Sequence, residues 1–186
     1  MTGGFGTQTA AVCAAGFGAP GGALLANVEE YDGSSWSEVT DLPAVRGNGF
    51  AWGPSQSDGI YGSGGITNQS TVTNTVFTYD GTNWTTNPAV NNARNGMGSS
   101  GTSTAALIYG GRFNSPPNPT NIQAFTESFD GSSWTATGTL NVARDYPGGA
   151  GTANTSALAW AGSPAPAAQA SETFELAGTA KTITTS

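Results

Sequence analysis

"YDGTNW" at residues 79–84 has two near copies, "YDGSSW" at 31–36 and "FDGSSW" at 129–134. The copies lie 48 and 50 residues apart, and an arginine stands ten residues after the tryptophan of each: Arg46 after Trp36, Arg94 after Trp84, Arg144 after Trp134. A phrase and a distant residue that recur together at one spacing mark a repeated structural unit.

Outward from the third copy, residues 97–147 read as one such unit. A Gly/Ser-rich stretch leads into "TAALIYGG", a short apolar run stopped by two glycines, which predicts a buried strand ending in a turn. "RFNSPPNPTN" carries three prolines and is expected to be a loop. "IQAFTESF" alternates as a strand does, Asp130-Gly131 opens a tight turn, and "SSWTATGTL" is a further strand before the exit "NVARD". Four strands, here a to d, make one antiparallel meander. The same register tiles the chain as units of about 1–46, 47–94, 95–144 and 145–186. The fourth is degenerate, with Phe174 in the aromatic position of strand c and Thr179 where Trp is expected.

Composition agrees with an all-β chain rich in turns. Only 9 % of residues are charged, against about 25 % in ordinary soluble domains. Five Trp, five Tyr and eight Phe at regular positions argue for a packed fold. The net charge of −7, with five basic residues and no basic stripe, argues against nucleic-acid binding. The amino end lacks a positively charged n-region and no apolar run reaches membrane-spanning length, so neither a signal peptide nor a membrane span is expected. Cys13 is alone and reads as a small buried strand residue.

An arginine opening the unit, a glycine pair after strand b, and Tyr or Phe shortly before Trp together resemble the kelch repeat. The matching residues are Arg46, Gly64-Gly65, Tyr79 and Trp84, then Arg94, Gly110-Gly111, Phe129 and Trp134, with Gly16 alone in the first unit and Ala161-Gly162 in the fourth. "GTQTAA", "EEYDGSSW", "LNVAR" and "KTITTS" resemble, more narrowly, the kelch-like repeat proteins of marine tailed phages. The resemblance implies a β-propeller of four kelch-like four-stranded antiparallel blades in a single domain, 1–186. A meander cannot bury both faces alone, so units must stack. Trp36, Trp84 and Trp134, with Tyr31, Tyr79 and Phe129, are expected in the layers between them, and the Gly-rich strand a is expected innermost.

Candidate chemistry is sparse. The chain has no histidine, which removes Ser-His-Asp and Cys-His nucleophilic sites and His-based metal sites; no catalytic residue, metal or cofactor is expected. "GFGAPG" at 16–21 fits G-x-G-x-x-G but enters a proline-containing loop instead of a helix. Glu29 and Glu30 are neighbours on a strand and point to opposite faces. The repeated arginines admit two readings: one structural job per unit, or a shared carboxylate-binding site such as sialidases gather on a propeller. The b–c connections all differ while the c–d turns repeat, which suits a binding scaffold. The functional expectation is a non-enzymatic recognition or structural module, a phage virion-associated appendage protein at the virion or extracellular surface. It would bind a surface glycan or another virion protein, with a homo-oligomer completing the ring as a further possibility. A sialidase-like or other carbohydrate-active enzyme is the alternative. The expected docking face centres on Arg46, Arg94 and Arg144, with Arg112 and Phe113 at its edge.

Overall fold

The computed structural model describes residues 2–66, 71–115, 118–163, 171–174 and 180–183. The chain is all-β, with no helix among these residues. The first sheet comprises β1 (Gly3–Thr7), β2 (Ala10–Phe17), β3 (Leu24–Tyr31) and β4 (Trp36–Glu38). The second has β5 (Phe50–Ser55) and β6 (Asp58–Gly62), a small side ladder of β7 (Gly65–Ile66) and β8 (Thr71–Val72), then β9 (Val76–Tyr79) and β10 (Trp84–Asn87). The third comprises β11 (Asn95–Gly101), β12 (Ala106–Ser115), β13 (Asn118–Ile122), β14 (Thr126–Phe129) and β15 (Trp134–Ala136). The fourth comprises β16 (Gly148–Ala153), β17 (Ser156–Trp160), β18 (Ser171–Phe174) and β19 (Ala180–Ile183). Four of the sheets are antiparallel meanders whose main strands pair in chain order.

The repeated hexapeptide is the hairpin between the last two strands of each of the first three sheets. Tyr31 faces Trp36, Tyr79 faces Trp84 and Phe129 faces Trp134 across it. Each turn is closed by its aspartate: Asp32 Oδ1 accepts from the Ser34 and Ser35 amides, Asp80 Oδ1 from Thr82 and Asn83, and Asp130 Oδ1 from Ser132 and Ser133, all at 2.7–2.9 Å. An Asx turn fixes the backbone with local bonds, so the motif folds the same way wherever it is copied.

Burial lies between consecutive sheets. One cluster joins Phe5, Val12, Ala14 and Val28 of the first sheet to Tyr61, Phe77 and Tyr79 of the second. A second joins Phe50, Ile60 and Val76 to Ile108, Phe129 and Trp134 of the third. A third sets Leu107, Tyr109 and Leu140 against Ala157 and Ala159 of the fourth. Strand alternation explains the arrangement, because each sheet sends odd and even residues to different neighbours. Gly59 is required where the Phe5 ring crosses β6, since a Cβ there would overlap the ring. The first strands β1, β5, β11 and β16 come together, β1 against β5, β5 against β11 and β11 against β16. All four border a cavity of about 270 Å³. Among the described residues, no comparable cluster joins the first sheet to the fourth.

Three expectations need correction. Trp36 is 50 % exposed, whereas Trp84 is partly buried and Trp134 is 6 % exposed. The reason is position: Trp84 and Trp134 lie against the sheet before theirs, whereas among the described residues no sheet packs over Trp36. The proline-rich stretch after β12 is not an irregular loop. β12 runs on to Ser115, and β13, with Pro119 within it, pairs back onto it through Arg112–Ile122, Phe113–Asn121 and Ser115–Asn118, while Pro116 and Pro117 lie outside the described residues. The glycine pair of the second unit is also displaced by one residue. The step of positive φ after the second strand falls at Ala15-Gly16, Ser63-Gly64, Gly110-Gly111 and Ala161-Gly162, so Gly65 is outside it. The first position has φ of 55–66°, which alanine and serine tolerate, and the second has 90–111°, where only glycine occurs. Thr179 and parts of two connections, 67–70 and 164–170, lie outside the described residues. No helix of the described chain is long and apolar enough to cross a membrane.

Candidate functional site

The three periodic arginines are buried: Arg46 is 6 % exposed, Arg94 0 % and Arg144 4 %. Their backbone carbonyls explain the glycine step. Arg46 O accepts from the Gly16 amide at 2.9 Å, Arg94 O from Gly64 at 3.0 Å and Arg144 O from Gly111 at 2.8 Å. Each arginine main chain thereby clasps the second-strand turn of its own unit.

Their side chains reach forward into the next unit. Arg94 Nε donates to Gly110 O at 2.8 Å, and Arg144 Nη1 donates to Ala161 O at 2.7 Å, the same position one repeat on. Arg94 also pairs with the fully buried Glu127, whose second oxygen accepts from the Asn91 amide at 2.7 Å. Burial draws the Arg94 pKa down and the Glu127 carboxylate opposes that shift. Arg46 lies over the Phe77 ring with its Cζ 5.7 Å from the centroid, and its pKa too is lowered by burial. The expected docking centre at Arg46, Arg94 and Arg144 is therefore overturned. These guanidinium groups hold one sheet to the next and offer no surface to a carboxylate ligand.

Arg112 and Phe113 lie elsewhere, on the β12–β13 arm. The Arg112 side chain keeps 31 % exposure and stands at the centre of a polar group. It pairs with Asp145 at 3.3 Å, donates from Nη2 to the Tyr146 hydroxyl at 2.9 Å and from Nε to Asn95 Oδ1 at 3.2 Å, and sits 5.2 Å from the Tyr146 ring centroid. Burial raises the Asp145 pKa and Arg112 lowers it in part. Tyr146 also borders the cavity between the first strands, so this cluster lies at one end of that cavity.

Phe113 packs on Phe125 with ring centroids 6.1 Å apart, and Phe125 is 40 % exposed. Beside them, Gln123 Nε2 donates to Asn121 Oδ1 at 2.6 Å. The arm and the link after it thus carry two packed aromatic rings and an amide pair, while Arg112, the strand neighbour of Phe113, directs its guanidinium to Asp145 and Tyr146. Such a set can cover the apolar face of a ring and hydrogen-bond its polar rim. Sequence reasoning named Arg112 and Phe113, at the edge of a face centred on the buried arginines, and missed Phe125, Asp145 and Tyr146. Phe125 reads as an ordinary strand residue until the arm folds beside it, and Asp145 and Tyr146 come from the following unit. No group of three or more potential metal ligands occurs among the described residues. Compared with known proteins, the chain matches no family model and no curated sequence.

Proposed function

We propose that the four meanders are kelch-like blades of an open, propeller-like array and that the protein is a non-enzymatic recognition module. The reading that fits its phage-like phrases is a virion-associated appendage protein that contacts a surface glycan or another virion protein. One observation carries it: the repeated arginines, with Trp84 and Trp134, are consumed in packing between sheets, while Arg112 and Phe113 of the β12–β13 arm and Phe125 after it, which do not recur in the other units, stay partly exposed. Function placed on variable connections over a repeated frame is the usual division in scaffold proteins. The aromatic pair suits the apolar face of a sugar ring, and the partly exposed Arg112 guanidinium on the same arm suits a carboxylate held by charge-assisted hydrogen bonds.

A glycan array containing neutral, uronate and sialate sugars tests this reading. Binding should favour the acidic members, and a Phe113→Ala, Phe125→Ala double variant should lose at least about tenfold in affinity, a fair scale for removing two stacking rings. Arg112→Gln should lose the preference for acidic sugars. Binding that is unchanged in both variants would refute the assignment of the arm. Turnover of a captured glycan during incubation would favour the alternative, a carbohydrate-active enzyme.

A further inference from the structure

The segment leaving each of the first three sheets follows one pattern. "TDLPAVR" at 40–46, "PAVNNAR" at 88–94 and "GTLNVAR" at 138–144 have an aliphatic residue third and arginine seventh. Each is anchored on its own sheet: Leu42 N donates to Ala26 O, Val90 N to Asn74 O and Leu140 N to Ala124 O, at 2.8–3.0 Å. Leu42, Val90 and Leu140 are all buried in the clusters shared with the following sheet.

The following sheet supplies matching receptors. Trp84 Nε1 donates to Thr40 O at 3.1 Å, and Trp134 Nε1 donates to Pro88 O at 3.0 Å, so the first residue of the segment caps an indole. The arginine at the end meets the third-strand residue two places before the aromatic. For Arg46 this is the Phe77 ring, and for Arg94 it is the Glu127 carboxylate.

The first sheet carries the same receptors. Trp36 is half exposed, with Tyr31 packed on it at 5.2 Å between centroids. Glu29, two residues before Tyr31, occupies the place of Glu127, is exposed, and pairs in register with Glu38. Among the described residues no exit segment crosses this face. We infer that the Trp36–Tyr31–Glu29 face of the first sheet is a socket for an extended protein segment of another chain, with an aliphatic residue four places before an arginine. The internal interfaces supply the template: a carbonyl caps the indole, an aliphatic side chain fills the groove, and a guanidinium meets a carboxylate. The two exposed carboxylates and the net charge of −7 favour a cationic segment. The inference rests on the repeated interfaces and not on the glycan reading.

The probe is the acetylated, amidated heptapeptide PAVNNAR, because its source segment crosses the sheet whose receptors are a Trp and a Glu. The five indole N–H resonances are followed by NMR during titration of the whole protein, with that of Trp36 assigned from Trp36→Phe. The Trp36 resonance should move saturably while the other indoles stay fixed. Replacing the peptide arginine by alanine, or Glu29→Gln in the protein, should each weaken binding at least about tenfold, the scale of one charge-assisted contact. Glu29 is exposed, so its variant should keep the unliganded indole spectrum of the parent. Four outcomes would overturn the inference: no movement at millimolar peptide, equal response to the alanine peptide, indifference to Glu29→Gln, or a Trp36 indole already shielded in the free protein.

Discussion

Arg94 shows how an arginine can recur through a sequence without meeting a ligand. Its main chain accepts from Gly64, its Nε reaches Gly110 O, and its charge is matched by Glu127 in a site with no solvent exposure. Removing one partner of such a pair strands a buried charge, so Glu127→Gln should destabilise the protein by about 3–5 kcal/mol in urea denaturation. The tryptophans make a complementary case, because identical phrases place them in unlike surroundings. Trp134→Ala should cost about 3–5 kcal/mol, and Trp36→Ala no more than about 0.5 kcal/mol, since Trp36 lies half in solvent. Equal losses in the two variants would mean that Trp36 is covered in solution. The sequence showed that three tryptophans play related parts. It could not show that one of them is left half exposed among the described residues, because that depends on which sheet lies against it in space.

Within one element, the Asp-Gly hairpin is legible because its causes are local. Asp32 is held at about 2 against an ordinary 3.8, chiefly by the Ser35 amide and then by Ser34; Asp130 is held at about 2, chiefly by the amide and hydroxyl of Ser132. Asp80 is lowered in the same way by Asn83 and Thr82. A folded-state pKa below the unfolded one stabilises the native state fully above the unfolded value, and the contribution fades as pH falls through the folded value. The melting temperature, followed by circular dichroism, should therefore fall between about pH 4 and pH 2. A triple Asp→Asn variant at positions 32, 80 and 130 should show a shallower fall over that window. A parallel decline in both proteins would assign the acid sensitivity to other carboxylates. The β12–β13 arm was not legible in this manner. Three prolines suppress strand propensity, and the arm forms because β12 simply continues past its sheet and offers an edge for β13. The glycine step fell between these cases: its existence was readable, but Ser63 in the first position concealed its register, since φ near 56° does not demand glycine.

Across the whole molecule, stability divides into sheets and the layers between them, as in other repeat arrays. The second and third sheets are packed on both faces, by the clusters around Phe77 and Tyr79, around Ile60 and Phe129, and around Leu107 and Tyr109. Among the described residues the first and fourth have one packed face each, and Trp36 and Trp160 are exposed on them, the latter 37 % exposed. This asymmetry arises from the order of sheets in space and has no counterpart in a repeat whose units look alike in sequence. It predicts a gradient in native-state amide exchange. Amides of β6, β9, β12 and β14 should exchange slowest, and those of β2, β3 and β17 measurably faster, because opening an end sheet breaks one hydrophobic layer and opening an inner sheet breaks two. Trp134→Ala should then steepen the loss of protection in the third and fourth sheets while leaving the layer between the first and second intact. Uniform slow exchange across all four sheets would contradict the open arrangement and would mean that the first and fourth sheets cover each other, closing the array into a ring.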